Sequence, residues 1–94
     1  MMKPLAAERE KKVRFELAAE PGSQVFVAGT FNNWNPTANP LKDDLSSGHF
    51  KAALRVPAGT HEYKFVVNGA WTVDPKCPTW ALNAFGGLNS VLHV

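Results

Sequence analysis

The stretch Thr60-His61-Glu62-Tyr63-Lys64-Phe65-Val66-Val67-Asn68-Gly69-Ala70-Trp71-Thr72-Val73 decides the fold class. Asn68-Gly69 is the dipeptide favoured in a two-residue type I′ hairpin, where both central residues need positive φ. β-Branched and aromatic residues crowd both sides of it, as strands prefer. Folding the chain at that point sets Val67 opposite Ala70, Val66 opposite Trp71, Phe65 opposite Thr72 and Lys64 opposite Val73. Successive side chains of a strand alternate between faces, so Tyr63, Phe65, Val67, Ala70 and Thr72 share one face and Lys64, Val66, Trp71 and Val73 the other. The first set is the better core. The second leaves an indole beside an ammonium group on the outer surface.

The same alternation extends in both directions. Pro57-Ala58-Gly59-Thr60, read as a four-residue hairpin loop, predicts that residues 49–56 pair with 60–67, with Phe50 opposite Val67, Ala52 opposite Phe65 and Leu54 opposite Tyr63. The outward pairs are then Arg55 with Glu62, Ala53 with Lys64 and Lys51 with Val66, which join opposite charges and small residues. In this register Ala53 is a low floor beside Lys64 and Trp71. Upstream, Val13, Phe15 and Leu17 alternate with Arg14, Glu16 and Ala18 until Pro21-Gly22-Ser23 breaks the run. Residues 24–29 form a second strand, Phe31-Asn32-Asn33-Trp34-Asn35-Pro36 a turn-rich loop, 41–45 a short edge strand and 89–94 the last strand. About seven short strands, with no helix of useful length and no repeat, predict an all-β antiparallel β-sandwich. Residues 1–11 read as a charged N-terminal tail and 12–94 as the sandwich domain.

Composition bounds the function. With 94 residues, 45% hydrophobic and 19% charged, the chain is one small domain without the length for a deep enclosed cleft. The single Cys77 closes no intramolecular disulfide and makes no metal site. His49, His61 and His93 have no ligand spacing, so no metal is expected. Asp43 and Asp44 point to opposite faces of a short strand and read as edge protection rather than as a catalytic pair. No nucleophile elbow, P-loop or phosphate-cradling glycine motif is present, and Gly86-Gly87 reads as a tight loop. A non-enzymatic protein without a cofactor is the expectation. No signal-peptide core and no apolar run of membrane-spanning length occur, so a cytoplasmic location with no membrane partner is expected.

Three Trp, one Tyr and six Phe then need places. An indole exposed on a strand requires a cover or a ligand. A sugar ring offers an apolar C–H face to an indole and a rim of hydroxyls to Lys or Asn, which makes Trp34, Lys64 and Trp71 candidates for a glycan surface. Two other occupants suit a flat ring beside a cation: a partner protein, and single-stranded nucleic acid. The net charge of only +2 argues against the latter.

Three segments carry a resemblance: Val25-Phe26-Val27-Ala28-Gly29-Thr30-Phe31-Asn32-Asn33-Trp34, the run from Gly59 through Asn68-Gly69-Ala70-Trp71 to Asp74-Pro75, and Gly87-Leu88-Asn89-Ser90-Val91-Leu92. In order and spacing they resemble carbohydrate-binding module family 48. That family includes the glycogen-binding domain of the AMP-activated protein kinase β subunit and N-terminal modules of glycogen branching and debranching enzymes. The resemblance implies an immunoglobulin-like, early-set β-sandwich that binds α-1,4-glucans such as glycogen, starch and maltooligosaccharides without catalysis. It makes Trp34 and Trp71 the stacking platforms, Lys64 a donor to sugar hydroxyls and Asn89 a polar anchor. Phe85 stands where kinase-subunit modules carry a Leu that presses on the curved glucan. The implied partners are an α-glucan polysaccharide or oligosaccharide and a glucan-metabolising enzyme or kinase subunit. A module of the same fold that turns its Trp face to a partner protein is the alternative. Two departures stand out: Asn68 replaces an acidic residue common in that turn, and Cys77-Pro78-Thr79-Trp80 is unusual, with Trp80 placed to extend the binding surface or, the favoured reading, to pack on the sandwich edge.

Overall fold

The computed structural model describes residues 10–94, so the tail expected over residues 1–11 lies almost wholly outside the described residues. Eight strands follow in chain order: β1 Lys11–Ala18, β2 Val25–Gly29, β3 Pro40–Leu41, β4 His49–Val56, β5 Thr60–Val67, β6 Ala70–Thr72, β7 Trp80–Leu82 and β8 Leu88–His93. They form two antiparallel sheets. One has the order β3-β2-β5-β8-β7, with β6 also on β5, and the other is the pair β1-β4. The chain is an all-β sandwich.

β5 organises the larger sheet. Its sequence of apolar residues on both faces suits a central strand, and one of its edges takes β2 from Val25 opposite Val67 to Gly29 opposite Tyr63. The other edge is divided. β6 pairs with Phe65, Val66 and Val67, while β8 pairs with Thr60 to Tyr63. The Asn68-Gly69 turn forms with φ of 50° and 86°, and its three expected pairs from Val67–Ala70 to Phe65–Thr72 are present. Regular pairing stops before Val73 because the chain there leaves the sheet. Asp74 is buried instead, with its carboxylate Oδ2 accepting from the Tyr63 hydroxyl at 2.6 Å and its N–H donating to the Ser90 Oγ at 3.2 Å. Burial, then this bond to a carboxylate, push the Tyr63 pKa well above its ordinary value. The phenol stays neutral and donates.

The pairing expected between residues 49–56 and 60–67 does not form. β4 pairs with β1, so Phe50 lies opposite Leu17, Ala52 opposite Phe15 and Leu54 opposite Val13. Arg55 faces Lys12 across the ladder rather than Glu62, and its guanidinium meets Glu10 at 3.5 Å. Alternation correctly identifies the apolar face of β4, but that face meets β5 across the sandwich and not beside it. The 57–59 connection is an inter-sheet crossing, tied by reciprocal backbone bonds of 2.9 Å between Gly59 and Val94.

Phe15 and Leu17 of β1, Phe50 and Val56 of β4, Leu41 of β3, Val25 and Val27 of β2, and Tyr63 and Phe65 of β5 make the core between the sheets. Phe15 meets Tyr63 edge-on at 5.2 Å between centroids and lies 5.5 Å from Phe31. Two further expectations are revised. β7, absent from the sequence reading, brings the strand count to eight. Asp43 does not guard an edge, because its carboxylate accepts from the N–H groups of Gly48 at 2.6 Å and Ser47 at 2.9 Å and closes the 43–48 loop. Burial alone would raise its pKa, but these donors outweigh it and hold the carboxyl below its ordinary value.

Candidate functional site

The outer face of the larger sheet carries the residues that β5 turns away from the core. Ladder pairing aligns Phe26, Val66 and Trp71 in one row across that face. Val66, though outward, is only 5% exposed, flanked on either side by Phe26 and Trp71. One step along β5, Lys64 lies opposite Ala28, and one step further Glu62 lies opposite Val91. The small residue beside Lys64 is therefore Ala28 of β2, which is fully buried, and not Ala53, which sits on the other sheet opposite Arg14. Trp71 keeps 47% of its surface exposed.

Two loops complete the site. The first follows β2. Gly29 comes so close to β5 that a Cβ there would lie 2.5 Å from the Glu62 carbonyl oxygen and 2.9 Å from the Tyr63 Cβ, so only glycine fits. The chain then turns through a short 3-10 segment, Thr30–Asn32. Asn32 pins this turn: its Oδ1 accepts from the Gly29 N–H at 2.9 Å and its Nδ2 donates to the Val27 carbonyl at 3.1 Å. Asn33 and Trp34 follow with φ of 57° each, an unusual region for a residue as bulky as Trp. The bond from the Trp34 N–H to the Gly29 carbonyl, 2.9 Å, holds it there. As a result the Trp34 indole stands 6.5 Å from that of Trp71, inclined at 50°. The pair forms an open corner rather than one flat wall.

The second loop joins β7 to β8 and presents Phe85 to the same cleft. Phe85 is 96% exposed. Trp34, Lys64, Trp71, Phe85 and Asn89, the five residues singled out from sequence, all line one open cleft of about 900 Å³, together with Thr30, Glu62, Leu82 and Asn83. Asn89 is the most enclosed of the five, at 6% exposed, with its Nδ2 donating to Glu62 Oε1 at 2.9 Å and its Oδ1 accepting from Asn83 at 3.1 Å. Neither Glu62 nor Asn83 is among the residues the sequence pattern selects. Glu62 is recoverable from the alternation that places Lys64, since it lies two residues away on the same strand face. Asn83 has no such signal.

Lys64 enters no ion pair among the described residues. Thr30, on the cleft wall, shares a 2.8 Å hydrogen bond with His61 Nδ1, while His61 Nε2 donates to the Pro57 carbonyl at 2.8 Å. His61 is thereby occupied, His49 is bonded to Glu16 at 3.1 Å on the other sheet, and no group of three or more potential metal ligands gathers among the described residues. The Glu16 carboxylate is held below its usual pKa, first by that bond to His49. Trp80 is 54% exposed rather than packed, stands opposite the interior-facing Ser90, and does not line the cleft. Cys77 is buried, its thiol within 3.3 Å of the Thr79 and Val91 carbonyls. No helix among the described residues is long and apolar enough to cross a membrane.

Comparison with known proteins meets this geometry. The sequence model described as the glycogen recognition site of AMP-activated protein kinase matches residues 12–94. The chain belongs to this family. It is 37% identical over 93 residues to the 5′-AMP-activated protein kinase subunit beta-2 of Mus musculus, covering 99% of this chain and 32% of that protein. It is 40% identical over 73 residues to the subunit beta-1 of Sus scrofa, covering 78% of this chain and 56% of that protein. The chain thus spans about a third of the length of the beta-2 subunits it matches. The glycogen-recognition family and the β-sandwich agree with the resemblance read from the three sequence segments.

Proposed function

We propose that this domain binds α-1,4-glucans through the cleft on its larger sheet and performs no chemistry on them. The observation that carries the proposal is the inclined indole pair, Trp34 and Trp71, with Lys64 and Phe85 lining the same cleft. An α-1,4-linked chain is curved, so successive sugar rings present their C–H faces at an angle to one another. Two platforms inclined at 50° suit that curvature, whereas a flat chain would favour coplanar rings. Lys64 and the Asn89 amide supply polar partners for the hydroxyls, and Phe85 supplies an apolar edge. The membership in a glycogen-recognition family supports the same reading.

The cleft is open, so affinity for one short oligosaccharide is weak and attachment to a polymer gains from repeated contacts. Each stacked ring contributes about 1–3 kcal/mol by analogy with base stacking on aromatic side chains. The relatives support a role beside a kinase subunit, and the family resemblance extends the same proposal to a glucan-metabolising enzyme. Titrating maltoheptaose while following Trp fluorescence tests it. Saturable change is expected for the wild type, with Trp71→Ala weakening the affinity about tenfold or more. A folded wild type whose emission does not respond at millimolar sugar contradicts the proposal. Retained binding of a protein partner without any sugar response would instead favour a protein-interaction module.

A further inference from the structure

The loop that presents Phe85 has no packing to hold its ring, and one side chain outside the expected site supplies its restraint. Asn83 Oδ1 accepts from the N–H groups of both Phe85, at 2.9 Å, and Gly87, at 3.0 Å. The Asn83 backbone N–H donates to the Gly87 carbonyl at 2.9 Å, and its carbonyl accepts from the Gly86 N–H at 3.2 Å. Gly87 leaves room for this arrangement, since a Cβ there would come within 3.2 Å of Asn83 Nδ2. That Nδ2 donates in turn to Asn89 Oδ1, and Asn89 Nδ2 donates to Glu62 Oε1. A continuous chain of hydrogen bonds therefore runs from the Phe85 loop, through Asn83 and Asn89, to β5.

The chemistry of the two ends fixes the middle. An ionised carboxylate only accepts, so the Asn89 amide must turn its nitrogen to Glu62. The Asn83 Nδ2 only donates, so Asn89 must turn its oxygen to Asn83. Asn89 then retains one N–H and one lone pair, and a sugar hydroxyl, itself donor and acceptor, is matched by that combination. We infer that Asn83 and Glu62 are positioning residues of the glucan cleft: Asn83 sets the Phe85 loop, and the two together orient the Asn89 amide. The inference rests on the glucan-binding reading above.

The test compares the wild type with Asn83→Ala and Asn83→Asp by amide hydrogen exchange, by the side-chain NH₂ resonances of Asn89 and by maltoheptaose affinity. Asn83→Ala is expected to speed exchange at Phe85 and Gly87, shift the Asn89 resonances and weaken binding about five- to twentyfold, with little change in melting temperature. Asn83→Asp keeps an acceptor for the two loop N–H groups but turns a carboxylate oxygen on Asn89 Oδ1. It therefore restores the loop protection while recovering only part of the affinity, a split that a merely structural role would not produce. Unchanged exchange and affinity in Asn83→Ala overturn the inference, and if that variant is unfolded, full recovery of affinity in Asn83→Asp overturns it equally. A wild type that binds no maltoheptaose defeats the glucan reading separately, and the exchange rates, read without sugar, still decide whether Asn83 sets the loop.

Discussion

Tyr63 joins the interior to the site at the scale of single residues. Its ring packs against Phe15 and Phe65 in the core, and its hydroxyl reaches the buried Asp74, two residues past the end of β6. The same strand turns Glu62 and Lys64, its immediate neighbours, into the cleft. Replacing Tyr63 with Phe keeps the ring but removes a donor from a buried carboxylate, which costs about 1–3 kcal/mol. Urea denaturation is expected to show a lower midpoint with an unchanged slope, and an unchanged midpoint would deny the hydroxyl this role. Lys64 and Trp71 were legible from sequence because alternation about a fixed turn assigns each side chain a face. The sequence pattern instead pairs Glu62 with Arg55, in a strand register that does not form. Asn83 bonds within the β7–β8 turn and to Asn89, and it is Asn89 that reaches β5, a strand formed much earlier in the chain. Neither periodicity nor spacing encodes such bonds.

Strands and turns show the same division. The Asn68-Gly69 hairpin was readable because its two residues both close the turn and set the register. The 57–59 connection also contains a glycine, yet joins strands of opposite sheets, because apolar faces on β4 and β5 are satisfied equally well by packing across the core. The short β7 carries Trp80 and Leu82 between a Pro-containing loop and Asn83, too brief a run for an alternation pattern to stand out. Gly29 is the point where element geometry reaches the site, since the close approach of β2 to β5 launches the turn that carries Trp34. Gly29→Ala is expected to cost about 1–3 kcal/mol or more, because the obstructing atom is backbone and has little room to yield. Its folded fraction should also show altered Trp emission as Trp34 moves relative to Trp71. A variant with wild-type stability and emission would mean that the approach is looser than described.

Over the whole molecule, unequal sheets separate stability from recognition. The β1-β4 pair covers one face of the larger sheet and makes the core, which leaves the other face open for the cleft. The ten aromatic residues divide accordingly. Phe15, Phe31, Phe50, Tyr63 and Phe65 serve the interior, Trp34, Trp71 and Phe85 line the cleft, Phe26 flanks Val66 on the cleft side, and Trp80 stands exposed on β7. The central claim is that α-glucan occupies this one face. Mapping amide and indole NMR shifts of the full chain during a maltoheptaose titration tests it most directly. Shifts are expected to concentrate at Trp34, Lys64, Trp71, Asn83, Phe85 and Asn89, with β1 and β4 silent. Shifts centred on Trp80 or on the β1-β4 sheet, or none at saturating sugar, would contradict it.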